Sequence, residues 1–191
     1  MVNTKKIILQ KSIELFRNEG FDNVSVERIC SECGVSKGAF YHHFKAKNDL
    51  IAEYLMTVLP HHVTLIKDVI DIDDPKEQLW SLFLISVEYP LMMGHDLVKQ
   101  LWLSELASGS DLLTPFVIYT SGSLREQNEL ILKVIEICQR AGVINTDYSP
   151  DDLLFSYVSA LMGLSVSWAS KKGGFDFKKE LRRIFDTVFR K

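Results

Sequence analysis

The sequence predicts an all-α protein in two parts, a small three-helix head over residues 1–47 and a larger helical body over 48–191. Two observations carry this. Apolar residues recur at helical spacing throughout, and no segment alternates in the manner of a half-buried strand. Helix start and stop signals also punctuate the chain cleanly, with a boundary near residues 46–50 and no internal repeat.

In order, Ile8, Leu9, Ser12, Leu15 and Phe16 share one face of a first helix, which Gly20 ends. Two short helices follow, over the run 25–44 treated below. Looser signals place helices near 48–70, 95–108 and 124–141. Asp74-Pro75-x-Glu77 opens a helix with a capping acid, a proline at the first helical position and an acid able to reach back. Its segment to Tyr89 is apolar nearly all round (Leu79, Trp80, Leu82, Phe83, Leu84, Ile85, Val87), which places it at the centre of the body. Ser149-Pro150-x-Asp152 repeats the opening signal, and Lys171-Lys172-Gly173-Gly174 closes that helix. Leu181, Ile184, Phe185 and Val188 define a final amphipathic helix.

The 191 residues are 47% hydrophobic and 25% charged, the composition of a globular protein and not of a disordered one. Net charge is −3, unevenly spread: residues 1–50 carry +2 and the remainder −5. A basic head on an acidic body fits a small nucleic-acid reader joined to a part that does not touch nucleic acid. Three cysteines, an odd count without a secretory segment ahead of them, point to a reducing, cytoplasmic setting. Leu153 to Ala169 is apolar, yet it is short for a membrane span of about 20 residues and rich in serine, so a buried helix is expected.

Residues 25–44 hold the sharpest signal. Ser25 can cap a short helix in which Val26, Ile29, Cys30 and Cys33 face inward. Gly34 supplies a left-handed turn, Val35 fills the angle, and Ser36 caps a second helix whose Phe40 and Phe44 face the core. Lys37, Tyr41 and His42 then project outward from its first turns, where recognition helices read base edges. Gly38 and Ala39 are small enough to let the backbone approach a groove.

This run resembles the DNA-binding domain of the tetracycline-repressor (TetR) family. The matching residues are Ile8-Leu9, Leu15-Phe16, Gly20-Phe21, Val26, Ile29, Gly34-Val35-Ser36-Lys37-Gly38, Tyr41, His43-Phe44, Lys47 and Leu50; Ala141-Gly142-Val143-Ile144, Asp147, Pro150 and Gly163 are similar to the family's approach to its dimer helices. The resemblance implies a homodimeric, ligand-responsive repressor with a helix-turn-helix head and a ligand-binding and dimerisation body. It implies that Lys37, Gly38, Ala39 and His42 lie in the major groove, with Ser36 beside them, and that Ser25, Tyr41, His43 and Lys47 hold phosphates. The chain departs from the family at Cys30 and Cys33, where alanines are usual, and at Ala46, where a capping residue is usual; the fourth helix is therefore expected to begin loosely.

Other chemistries have weaker claims. Cys30-x-x-Cys33 has no second ligand pair and reads as core. His42 and His43 are helical neighbours pointing about 100° apart, which rules out joint chelation. His61, His62 and His95 could meet, but no metal site or cofactor is expected. No nucleophile elbow, metalloprotease motif or phosphate loop is present, so the protein is not expected to be an enzyme.

In the body, Ser156, Ala160, Gly163, Ser167 and Ser170 recur at spacings of four, three, four and three and make one helix side small. That stripe, with Leu181 and Phe185 of the last helix, is the expected homodimer interface. Trp80, Phe83, Glu88, Met92, Trp102, Phe116 and Tyr119 are the candidate lining of an effector pocket for a small apolar or amphipathic ligand. The partners expected are a palindromic duplex operator, a second copy of the chain and an effector. The alternative is a regulator of the same build without an effector, controlled by abundance or by a protein partner.

Overall fold

The computed structural model describes residues 4–58, 69, 71–108 and 122–191. Among them nine α-helices and no strand occur: α1 Thr4–Glu19, α2 Val26–Cys33, α3 Lys37–His43, α4 Asp49–Val58, α5 Pro75–Met93, α6 His95–Ser108, α7 Gly122–Arg140, α8 Pro150–Ser170 and α9 Phe177–Val188.

The caps fall where the side chains dictate. Gly20, at φ +83°, ends α1 with its N–H on the Phe16 carbonyl at 3.0 Å. Asp74 Oδ1 accepts from the N–H groups of Lys76 and Glu77 at 2.8 and 3.2 Å, satisfying two donors at the start of α5. Glu77 does not reach back as expected. Its carboxylate is taken by Arg182 of α9 at 2.8 and 3.2 Å, a two-pronged pairing that binds α5 to α9. Ser149 Oγ accepts from the Asp152 N–H at 3.1 Å and donates to the Asp152 carboxylate at 2.6 Å, opening α8.

Ala46 has no capping oxygen, yet α4 does not start loosely. Asp49, its first residue, turns its carboxylate back, and Oδ2 accepts from the N–H groups of Lys45 and Ala46 at 2.8 and 3.0 Å. The missing cap is replaced from inside the helix.

One continuous apolar core results, with a dense cluster of rings in each part. In the head, Phe16, Phe40, Ile8 and Ile29 are each at most 1% exposed, and Phe21 packs on Phe16 with ring centroids 4.8 Å apart. In the body, Phe83 of α5, Tyr157 of α8, and Phe185 and Phe189 at α9 and its end interlock, with Phe83–Tyr157 at 3.9 Å and Phe185–Phe189 at 5.0 Å. Each such ring is worth roughly 1.5–3 kcal/mol of burial, so the pairing of α5, α8 and α9 rests on these side chains. Leu50 and Ile51 of α4 are buried, and α4 packs against both α1 and α6, bridging head and body.

α8 is long and apolar enough to cross a membrane by length and composition. Leu153, Leu154, Tyr157, Val158, Ser165, Trp168 and Ala169 turn inward, while Phe155, Ser156, Gly163, Val166, Ser167 and Ser170 form an exposed, uncharged face.

Candidate nucleic-acid interface

α2 and α3 each begin at a serine cap. Ser25 Oγ accepts from the Arg28 N–H at 3.1 Å, and Ser36 Oγ accepts from the Ala39 N–H at 3.1 Å. Gly34 lies between them in the left-handed region at φ +64°, which a side chain would strain although a Cβ there would meet nothing within 4 Å. The Val35 N–H closes the turn on the Cys30 carbonyl at 3.0 Å. Cys30 is buried and Cys33 half-buried, both thiols pushed up by burial, consistent with packing beneath the turn.

With Phe40 and Phe44 inward, α3 exposes Lys37, Gly38, Tyr41 and His42, while Ala39 and His43 are half-buried at its flank. Tyr41 is 53% exposed and stands edge-on to Phe40 at 5.3 Å, which stiffens it without covering its hydroxyl. Gly38 has room for a Cβ, 3.7 Å from Ser36 Oγ, so its value is a thin surface and not a required conformation. Ser25, Ser36, Lys37, Gly38, Tyr41 and His42 are thus exposed, while one further residue of the predicted set is committed elsewhere.

That residue is Lys47. Its ammonium donates to the carbonyls of Phe21 at 2.7 Å and Val24 at 2.9 Å and sits 4.1 Å from the centre of the Phe21 ring. Partial burial lowers its pKa. Two of its three N–H donors are therefore spent on the α1–α2 loop, so Lys47 ties that loop where the resemblance implied a phosphate ligand.

Two other cations of the head, Arg28 and Lys37, are also engaged. Arg28 lies between Glu32 at 2.8 Å and Glu19 at 3.2 Å. Lys37 forms an ion pair with Glu27, whose carboxyl that contact holds down at about 2. Sequence reasoning missed Glu27, because the pairing joins two helices across the turn and has no periodic signature.

The expected effector-pocket residues do not share one environment. Trp80 lies beneath the Arg182 guanidinium at 5.1 Å, on the seam between α5 and α9. Phe83 is sealed in the ring cluster at 2% exposure. Glu88 and Met92 are exposed. Trp102 is half-buried and donates its Nε1–H to Ser165 Oγ at 2.8 Å, tying α6 to α8. Phe116 and Tyr119 lie outside the described residues, as do His61 and His62; His95 packs edge-on to Trp168 at 6.2 Å. Within the body core, the Tyr157 hydroxyl is fully buried with no hydrogen-bond partner among the described residues.

Of the expected interface residues, Ser156, Gly163 and Ser167 are exposed and Ala160 half-buried. Leu181 and Phe185 are not available to a partner. Both are 0% exposed inside their own subunit, because the apolar stripe of α9 is consumed by α5 and α8.

A capped three-helix head presenting a short exposed helix, set on a helical body, defines a helix-turn-helix DNA-binding regulator. Comparison with known proteins agrees. Residues 8–54 match the family described as bacterial regulatory proteins, tetR family. YerO of Bacillus subtilis, an uncharacterized HTH-type transcriptional regulator, is 39% identical over 82 residues, a stretch covering 41% of this chain and 28% of that protein. The probable acrEF/envCD operon repressor of Escherichia coli is 22% identical over 99% of this chain and 86% of its own length. The fold is similar to that of Thermus thermophilus FadR, a TetR-family transcriptional repressor crystallised with lauroyl-CoA, at TM-score 0.64 and 19% identity over 96% of this chain and 92% of that one. Residues 8–54 thus match the TetR family, and the chain as a whole is similar to transcriptional regulators of that family.

Proposed function

We propose that the protein is a homodimeric, sequence-specific repressor that binds a palindromic operator through α3 and is released by a small apolar or amphipathic effector. The head comprises residues 1–47 and the body 48–191, with α4 as the bridge. The observation that carries the reading is the exposed face of α3, where Lys37, Gly38, Tyr41 and His42 project from a helix held at both ends. Lys37 and His42 face base edges, and Ser25, Tyr41 and His43 flank them at phosphate height.

One recognition helix contacts too few base pairs for useful discrimination, and a two-fold pair reads half-sites about 34–36 Å apart. The exposed side of α8 suits the pairing: it carries no charge after Asp152, and its small residues permit close approach. The Thermus thermophilus repressor of this fold is crystallised in complex with lauroyl-CoA, which supports an amphipathic effector here.

Selection of bound sequences from random duplex DNA tests the reading. A palindromic consensus with half-sites one helical turn apart is expected. A compound screen against that duplex then follows Trp80, Trp102 and Trp168, all of which lie in the body. A true effector changes their emission over the concentration range that releases DNA, and DNA weakens effector binding by the same factor. Failure to enrich any sequence would overturn the DNA-reading assignment. Enrichment without any responsive compound would favour the effector-free regulator.

A further inference from the structure

The ion pair between Lys37 and Glu27 brings an acid onto the surface that reads DNA. The two side chains are 57% and 59% exposed, so the pair adds little to folding and its consequence lies elsewhere. Lys37 begins α3, where the positive end of the helix dipole disfavours a cation. Glu27 stands in the first turn of α2, where a carboxylate is favoured. Glu27 is thus anchored by its own helix and supplies the charge that holds Lys37 at the head of the reading helix.

We propose that Glu27 is a specificity-determining residue, which through its ion pair with Lys37 penalises contact with bare phosphate while leaving contact with base edges intact. The proposal rests on α3 being the reading helix. An ammonium has three donors, and one engaged by Glu27 leaves two for the neutral acceptors of a base edge, such as O6 and N7 of guanine. A phosphate oxygen can take the same donors, but it brings a negative charge against the Glu27 carboxylate. Binding to arbitrary sequence depends on phosphates almost entirely, whereas binding to a true site adds base contacts. The acid therefore weakens the first more than the second.

The full-length chain, its Glu27→Gln and Lys37→Ala variants and the double variant test this on two probes: a short randomised duplex and the consensus duplex selected by the wild type, each over a range of salt. Glu27→Gln should tighten binding to the randomised duplex about five- to tenfold at low salt, with the salt slope steeper by about one phosphate contact. Affinity for the consensus should change less, so discrimination falls. In the Lys37→Ala background the same substitution should leave discrimination unchanged. Unaltered discrimination in Glu27→Gln overturns the proposal, and so does an equal effect with Lys37 absent, since Glu27 would then act on DNA by itself. If Lys37→Ala alone leaves consensus affinity at the wild-type value, the α3 assignment has failed, and that result is read without any Glu27 variant.

Discussion

Arg17 on α1 donates to the backbone carbonyl of Met92 at 2.7 Å and to the Tyr54 hydroxyl at 3.0 Å, so a single guanidinium joins the head, α4 and the last turn of α5. Gln100 of α6 adds a second crossing, donating to Asp22 at 3.2 Å. These contacts couple the head to α5 and α6. Arg17→Ala should lower stability by about 1 kcal/mol, the modest value an exposed charged hydrogen bond warrants. It should also loosen cooperativity. Tryptophan emission reports only the body, and far-ultraviolet circular dichroism reports the whole chain. Their denaturant transitions should coincide in the wild type and separate in the variant.

Lys47 and Lys37 should fail in different ways. Lys47→Met removes two hydrogen bonds from the α1–α2 loop and should destabilise the head by roughly 1–2 kcal/mol while leaving the salt slope of DNA binding unchanged. Lys37→Ala should leave stability near wild type, weaken operator binding and relax preference at one or two positions per half-site. Thermal unfolding and salt titration of both variants distinguish them. A shallower slope in the Lys47 variant would restore that residue to the phosphate contacts.

Gly163 separates the proposed partner surface from the fold. An added Cβ there meets nothing within 4 Å in the protomer, and leucine is the better helix former. Gly163→Leu should therefore leave the protomer folded and split the dimer, seen by sedimentation as a large rise in dissociation constant. Phe185→Ala should do the reverse of a surface change, costing about 3–5 kcal/mol of folding stability because its ring is enclosed by Phe83, Tyr157 and Phe189.

The Glu27 carboxyl should titrate at about 2, well below its ordinary 4.5, because Lys37 hydrogen-bonds the charged form. A folded-state pKa below the unfolded one means that the stabilisation is complete above the unfolded value and is lost as pH falls through the folded one. Carboxyl resonances followed by NMR should show the low midpoint in the wild type and a return toward the ordinary range in Lys37→Ala. An ordinary midpoint in the wild type would dissolve the pair in solution.

The fold class, the helix order and the exposed face of α3 were legible in the sequence, because each depends on local rules. Asp74, Ser149, Ser25 and Ser36 cap helices through oxygens that reach only two or three residues ahead, and Gly20 and Gly34 stop them through backbone freedom. Periodicity likewise separated Phe40 and Phe44 from Lys37, Tyr41 and His42. What the tertiary structure alone decided is which long side chain meets which partner. Lys47 turned inward to two carbonyls, Glu77 gave its carboxylate to Arg182 instead of its own helix end, and Asp49 replaced the cap Ala46 lacks. Leu181 and Phe185 went to their own core, since an amphipathic stripe records that a face is buried without recording against what. A charged side chain on several rotatable bonds takes whatever donor or acceptor the packed helices bring near, and only the packed helices determine which one that is.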